Sequence, residues 1–254
     1  FENKKAVGVE IVQEGRKQVL HAETEVILSA GAIQSPQILQ LSGIGPGKLL
    51  KEHGIDVVVN RPGVGQNLQD HYQMRTVVQM RSRDSLNNQI RNPISLLKMG
   101  LDWAFRGRGA LTVGAGQVGG AMRTDFAPTD QPDLQLFVMP LSVDKPGEPL
   151  HRYPGFTSAI WQCHPKSRGS IEIVTPDPTA DPKIQPNYLA DELDQKTMVE
   201  GIRILRQIYN QPKFRDLWDA EIVPGEQVKT DADIIDAIRK GGGTVYHPVG
   251  TCKM

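Results

Sequence analysis

The chain has 254 residues, enough for one large domain or two modest ones around a buried core. Its 29 basic and 29 acidic residues cancel, which leaves no general basic excess for binding nucleic acid. No apolar run reaches the ~20 residues of a membrane span, and Cys163 and Cys252 form no CxxC pair, which argues against a disulfide scaffold or a structural zinc.

The chain opens at Phe1 without a methionine or a visible signal peptide and closes at Met254 inside a motif, so both ends read as cuts. The cytoplasm is the expected compartment. Val7 to Val12 and Glu25 to Ser29 read as short strands, with a turn at Glu14-Gly15-Arg16. A helix is expected from Ser35-Pro36, with Ser35 as N-cap, Ile38, Leu39 and Leu41 along it, and Gly43 closing it in the left-handed region. A second helix covers Lys48 to Glu52 and ends at His53-Gly54, and a strand covers Asp56 to Val59. The stretch from Arg61 to His71 shows neither helical nor strand period and reads as an ordered loop.

From about residue 72 alternating runs appear at Arg75 to Met80, Leu134 to Met139, Phe156 to Cys163 and Ser170 to Val174, as in an antiparallel sheet. Leu96 to Phe105 is expected to be helical, followed by a mobile Arg106-Gly107-Arg108-Gly109. With Trp103 and Phe105 that segment reads either as a loop over a substrate entrance or as a surface hairpin. Met198, Ile202, Leu205 and Tyr209 share one helical face. Thr230 with Asp233 predicts a capping box for the helix bearing Ile234, Ile235 and Ile238, stopped at Gly241-Gly242-Gly243. Gly114-Ala115-Gly116-Gln117-Val118-Gly119 spells GxGxxG, but it neither follows a convincing strand nor opens a helix, so it is read as a chance match.

Four blocks then stand out in order. They are Gly31-Ala32-Ile33-Gln34-Ser35-Pro36 through Ile44-Gly45; Pro62-Gly63-Val64-Gly65-Gln66-Asn67-Leu68-Gln69-Asp70-His71; Pro165-Lys166-Ser167-Arg168-Gly169-Ser170 through Asn187-Tyr188-Leu189; and Tyr246-His247-Pro248-Val249-Gly250-Thr251-Cys252-Lys253-Met254. Together they resemble signature segments of the glucose–methanol–choline oxidoreductases. The resemblance implies a mixed fold of the α+β type, a partial FAD-binding α/β domain joined to an antiparallel-sheet substrate domain with helices. Expected boundaries are 1–71 for the first, 72–243 for the second, and 244–254 for a strand returning to the active site. The family's strand–GxGxxG–helix cradle for the FAD pyrophosphate does not occur in these residues, so the chain alone is expected to bind FAD weakly and to be inactive.

The implied reaction is oxidation of a primary or secondary alcohol to the carbonyl, with FAD as cofactor and oxygen or a quinone-like compound as acceptor. An alcohol must lose its hydroxyl proton as hydride leaves carbon, and imidazole is the side chain best suited to take that proton. The resemblance assigns that role to His247, in a peptide turned by Pro248 and Gly250, with flavin N5 taking the hydride. It also places Ala30, Gly31, Asn67 and Tyr246 near the cofactor. A plain strand-to-helix turn is the alternative for Ala30 and Gly31. Other histidines have lesser claims: His53 as a helix-end residue, His71 as a candidate flavin neighbour, and His21, His151 and His164 as surface or packing residues. No HxxxH or HExxH spacing points to a metal. Cys252 is expected to pack as a small apolar residue, and Trp161 to fill the core or line a pocket. Choline-oxidising members place a glutamate against the trimethylammonium group, and that position aligns with Gln117, which favours a neutral alcohol or polyol as substrate. A hydroxynitrile lyase of the same fold and a non-catalytic remnant are the competing readings.

Overall fold

A computed structural model describes residues 1–82, 85–112, 114, 116–145 and 147–253. In chain order the first strands are β1 (Gly8–Gln13) and β2 (Arg16–His21), followed by helix α1 (Gly31–Leu41), β3 (Ile44–Gly45), α2 (Gly47–Glu52), β4 (Val59–Asn60) and β5 (Gln66–Leu68). Then come β6 (Tyr72–Met80), α3 (Leu86–Arg91), α4 (Pro93–Arg106), a 3-10 turn (Ala110–Thr112), β7 (Val118–Met122), β8 (Leu134–Met139) and β9 (Gly155–Gln162). The last are β10 (Gly169–Glu172), β11 (Lys183–Gln185), α5 (Glu192–Tyr209), α6 (Pro212–Arg215), β12 (Trp218–Val223), α7 (Asp231–Gly241) and β13 (Gly243–Thr244). The fold is thus mixed α/β, as expected. It divides into two compact units: Phe1–Asp70 with Ser167–Tyr188 and His247–Met254, and His71–Lys166 with Leu189–Tyr246. Residues 167–188, which the sequence pattern assigned to a substrate domain, cluster with the first unit because β10 pairs with both β5 and β11.

In the first unit, β1 and β2 form a hairpin in register from Gly8 with His21 to Gln13 with Arg16. Glu14 and Gly15 both have positive φ, the geometry that folds a chain straight back on itself, so the partner strand begins at Arg16. The expected strand at Glu25–Ser29 joins no ladder: extended backbone becomes a strand only through a pairing neighbour. Helix α1 starts at Gly31, four residues before the predicted Ser35 cap. Gly31 turns the chain at φ +78°, and the Ser35 hydroxyl accepts a hydrogen bond from the Ala30 N–H at 3.0 Å. The buried positions of α1 are Pro36, Gln37 and Gln40 rather than the apolar Ile38. Gln40 is fully buried and satisfied at both ends. Its amide nitrogen donates to the Ile171 carbonyl (3.0 Å), and its oxygen accepts from the Ile173 N–H (2.9 Å). Gly43 takes the expected left-handed conformation just past the helix, and His53 caps α2 through its backbone.

The second unit is an antiparallel sheet in the order β12-β6-β9-β8-β7, with β13 also paired to β6. Every residue of β9 is buried, as its central place requires. Helix α5 packs on β9 and α7 on β6, where Ile160 and Met74 reach the helices. Met198, Ile202, Leu205 and Tyr209 of α5 are buried as predicted, and the capping box of Thr230 and Asp233 is formed at the start of α7. Gly201 lets α5 sit close, since a Cβ there would lie 2.6 Å from Ile160. Tyr209, Phe156, Phe214 and Trp218 form an aromatic cluster at edge-on angles. Trp161 is core, tilted against Phe137 with centroids 5.4 Å apart.

Several elements of this unit escaped the sequence pattern, three of them for a visible reason. Strand β7 is exposed and contains Gly119-Gly120, which erases both apolar alternation and β propensity. Strand β12 has an irregular register against β6, so its burial does not alternate cleanly. Helix α3 is held by Ser85, which accepts from the Asn88 N–H, and by Asn87, which bonds Ser142. The 106–109 stretch is not a hairpin. It closes α4, with Gly107 left-handed at the C-cap. Of the GxGxxG match, Ala115 lies outside the described residues, while Val118 and Gly119 open a strand instead of a helix.

Burial pushes the Tyr209 phenol up to about 12 from its ordinary 10.0. The hydroxyl lies 2.7 Å from Thr76 Oγ1. Unfolded tyrosine ionises near 10 and the folded one near 12, so over that window the unfolded state holds fewer protons and stability falls as pH rises. Tyr209→Phe should cost about 1–3 kcal/mol at neutral pH by stranding Thr76. Urea unfolding should also show a shallower loss of stability in the variant than in wild type between pH 10 and 12. Equal alkaline slopes would refute the assignment.

Candidate functional site

His247 sits at the head of a segment that is stitched, residue by residue, to residues 64–70 of the same unit. The His247 N–H donates to Asp70 Oδ1 at 3.0 Å, and Asp70 Oδ2 accepts a short 2.5 Å bond from the Tyr188 hydroxyl. Such charge-assisted bonds are about twice as strong as neutral ones. One carboxylate therefore ties three segments of the chain together at the residue that bears the imidazole. The imidazole-bearing residue itself is exposed.

Beyond Pro248 the ladder continues. Gln69 and Val249 exchange two backbone bonds of 2.9 and 2.8 Å, and the Gly65 N–H donates to the Thr251 carbonyl at 2.8 Å. Asn67 adopts φ +65°, a conformation that asparagine tolerates better than most residues. Its side chain donates to the Gly250 carbonyl (3.0 Å) and accepts from Arg168 Nε (3.1 Å). Arg168 is itself placed by Asn187, whose amide donates to the Arg168 carbonyl at 3.0 Å. Gly250 must be glycine on two counts: φ is +90°, and a Cβ would lie 2.6 Å from the Asn67 carbonyl oxygen.

The last stitch reaches α1. Pro36 has no N–H, so it cannot donate to the Ala32 carbonyl one turn back. The Thr251 hydroxyl donates to that carbonyl instead, at 2.5 Å. A proline inside the helix thus creates the acceptor that the distant threonine takes up.

Four of the six sequence-predicted site residues, Ala30, Gly31, Asn67 and His247, belong to this unit, and Thr251 links the turn at Ala30–Gly31 to the His247 segment. The space beside Gly31 is open: a Cβ there would meet nothing within 4 Å. Asn67 spends both ends of its amide on the chain. Tyr246 and Gln117 belong to the second unit. Tyr246 has φ +63°, and its N–H donates to Thr244 Oγ1 at 2.8 Å. Its ring is exposed near Arg75, whose guanidinium is pulled below its ordinary value by partial burial. Gln117 is exposed ahead of β7, beside Leu86, Ala110 and Pro140, and its N–H donates to the Val138 carbonyl at 3.1 Å. Met254, the last residue of the fourth block, lies outside the described residues.

His71 has its Nε2 3.0 Å from the Cys163 carbonyl oxygen. His151 stacks on Tyr153, with Nε2 3.2 Å from Asp144. Cys252 is exposed rather than packed in the core, although its backbone bridges that of buried Val64. Desolvation still pushes its thiol up, which works against a thiolate nucleophile. Sequence reasoning missed Asp70, Tyr188, Thr251 and Arg168 as partners. Each stands inside a quoted block, but Asp70 and Tyr188 are 118 residues apart and no spacing rule joins them.

Two models of one family, described as GMC oxidoreductase, match residues 1–73 and 165–254. The chain is 40% identical over 260 residues to the alcohol dehydrogenase [acceptor] of Pseudomonas putida, covering all of this chain and 46% of that protein. It is 36% identical over 263 residues to oxygen-dependent choline dehydrogenase 1 of Chromohalobacter salexigens, again over the whole chain and 45% of the relative. The chain therefore spans about half the length of the curated relatives it matches. Among solved structures, a variant of Aspergillus oryzae formate oxidase made to examine FAD modification superposes with a TM-score of 0.89 at 26% identity. That match covers 98% of this chain and 48% of the oxidase.

Thr251 tests the stitching directly. Thr251→Val keeps its shape but strands the Ala32 carbonyl, and should cost about 1–3 kcal/mol in urea unfolding. Thr251→Ser should cost distinctly less. Adding Pro36→Ala to Thr251→Val should recover part of the loss, since an alanine in place of Pro36 brings its own N–H to the Ala32 carbonyl. No recovery would mean that the carbonyl is not the point of contact.

Proposed function

Because the chain is a member of the GMC oxidoreductase family, we propose that it forms about half of an FAD-dependent enzyme that oxidises an alcohol to the carbonyl. The observation that supports this most is the clamp on His247. Asp70 fixes its backbone, and the Val249–Gln69 and Thr251–Gly65 bonds fix the peptide behind it, so the imidazole starts from a defined position. Positioning of this kind is what a general base requires, because proton transfer needs hydrogen-bond reach as well as a suitable acceptor.

FAD, when bound, supplies the hydride acceptor. The residues present fit such a cofactor at the amino end of α1. No side chain caps that helix end, and the space beside Gly31 is open. Ala30 and Gly31 would offer backbone at close range. Asn67 would hold the Gly250 backbone in place, while His247 would face the reacting centre. His247 would take the hydroxyl proton of the alcohol, and Asp70 would act through the peptide that it anchors without touching substrate.

Gln117 would line the substrate side. A neutral amide offers a permanent cation no charge to pair with, so choline is disfavoured relative to an uncharged alcohol. In the full-length enzyme, Gln117→Glu should raise kcat/KM for choline relative to a neutral alcohol of similar size. An unchanged ratio would remove Gln117 from the pocket.

The role of His247 has its own test in anaerobic stopped-flow reduction of the full-length flavoenzyme. His247→Ala should slow flavin reduction by alcohol by about 10²–10⁴-fold, the usual contribution of a positioned base. It should also lose the pH dependence that a proton acceptor imposes. An unchanged flavin spectrum and thermal midpoint are the controls for folding. A variant with near wild-type rate and pH profile would rule His247 out as the base.

A further inference from the structure

The chain leaves the first unit after Asp70 and again after Tyr188, and it returns at His247. His247 therefore has no preceding neighbour within its own unit, and the anchor for its N–H has to come from elsewhere in the sequence. Asp70 Oδ1 supplies it at 3.0 Å. On the other side, Pro248 pushes His247 toward extended backbone. With both flanking peptides held, the two side-chain torsions are left to place the imidazole. The weak point is the carboxylate itself, because the last torsion of an aspartate is broad. A carboxylate bonded through one oxygen can swing, whereas one bonded through both cannot.

The bond to the other oxygen comes from Tyr188, whose hydroxyl donates to Asp70 Oδ2 at 2.5 Å. The backbone turns left-handed on both sides of that tyrosine, with φ +54° at Asn187 and +57° at Leu189. Asparagine tolerates this region, but leucine seldom enters it, and such outliers persist only where the surroundings impose them. Here they do. The Asn187 side chain accepts from Gln185 at 3.1 Å and donates to the Arg168 carbonyl at 3.0 Å. Leu189 is buried, and its carbonyl accepts from Gln195 at 2.8 Å. The turn thus fixes where the phenol points. We propose that Tyr188 is a positioning residue for the proposed base: by holding the second oxygen of Asp70, it keeps the His247 peptide, and so the imidazole, where the alcohol proton is taken. This rests on the reading of His247 as the base and adds to it a residue that acts only through Asp70.

The test uses Tyr188→Phe in the full-length flavoenzyme, which removes the hydroxyl and keeps the ring. Amide hydrogen exchange at His247 should become about tenfold faster, the protection that a bond of this strength is worth. Exchange at Ile173, whose N–H is held by Gln40, should not change. Anaerobic reduction by alcohol, measured per bound flavin, should slow by about tenfold, because the base is present but loosely placed. Its pH midpoint and the dissociation constant for alcohol should stay as in wild type. A tyrosine with only a structural role would lower flavin content or the thermal midpoint and leave the rate per flavin alone. In an Asp70→Ala background, Tyr188→Phe should slow reduction no further, since the two act through one bond. If Asp70→Ala loses its flavin, Asp70→Asn takes its place, and there the effect of Tyr188→Phe should shrink to about twofold with the loss of charge. Unchanged exchange at His247, an unchanged rate per flavin, or additive effects of the two substitutions would each overturn the proposal. His247→Ala separates it from the reading beneath it. If that variant is slow and Tyr188→Phe is not, the base stands and Tyr188 alone is dismissed; if His247→Ala itself reduces normally, both fall.

Discussion

Asp70 is the constraint on which the rest of the first unit turns. Its two oxygens accept from the His247 N–H and the Tyr188 hydroxyl, drawing together parts of the chain that are far apart in sequence. Without an acceptor at this point, the peptide entering 247–252 would begin from an unbonded N–H, and the ladder after it would lose its first anchor. The exposed imidazole and the partly buried polar contacts behind it are two ends of one arrangement.

The same reasoning explains why this unit is held so largely by polar contacts. Gln40 is fully buried yet bonded at both ends, Asn67 bridges Arg168 and Gly250, and Thr251 takes the carbonyl that Pro36 leaves open. Such networks specify one geometry, because each unpaired group would cost more than its bond gains. An apolar contact would tolerate sliding, whereas a hydrogen-bonded backbone does not. For a segment that presents a proposed base, that difference decides how closely the side chain is placed.

The second unit is built on the other principle. An antiparallel sheet is backed by α5 and α7, whose apolar faces meet β9 and β6. Here hydrophobic period alone specifies the packing, and polar groups such as Tyr209 and Thr76 pair off within it. Helix α4 is the exception, with its apolar side unburied and its charges largely of one sign.

What the sequence determined by itself follows from local rules. The α5 face, the capping box of α7, the Leu134–Met139 strand and the Gly43 turn were legible because each depends on residues within a few positions of one another. The family blocks were legible as well, and with them His247 and Asn67 as residues of interest. Local rules failed where a partner lay far off or a backbone angle overrode propensity. Glu25–Ser29 found no strand to pair with, Gly31 started α1 before Ser35 could cap it, and β7 hid behind two glycines. Tertiary structure alone decided that 167–188 joins the first unit, that Asp70 reads both Tyr188 and His247, and that Thr251 answers Pro36. Hydrogen bonds are specific in space and silent in sequence, because donor and acceptor need only meet in the fold.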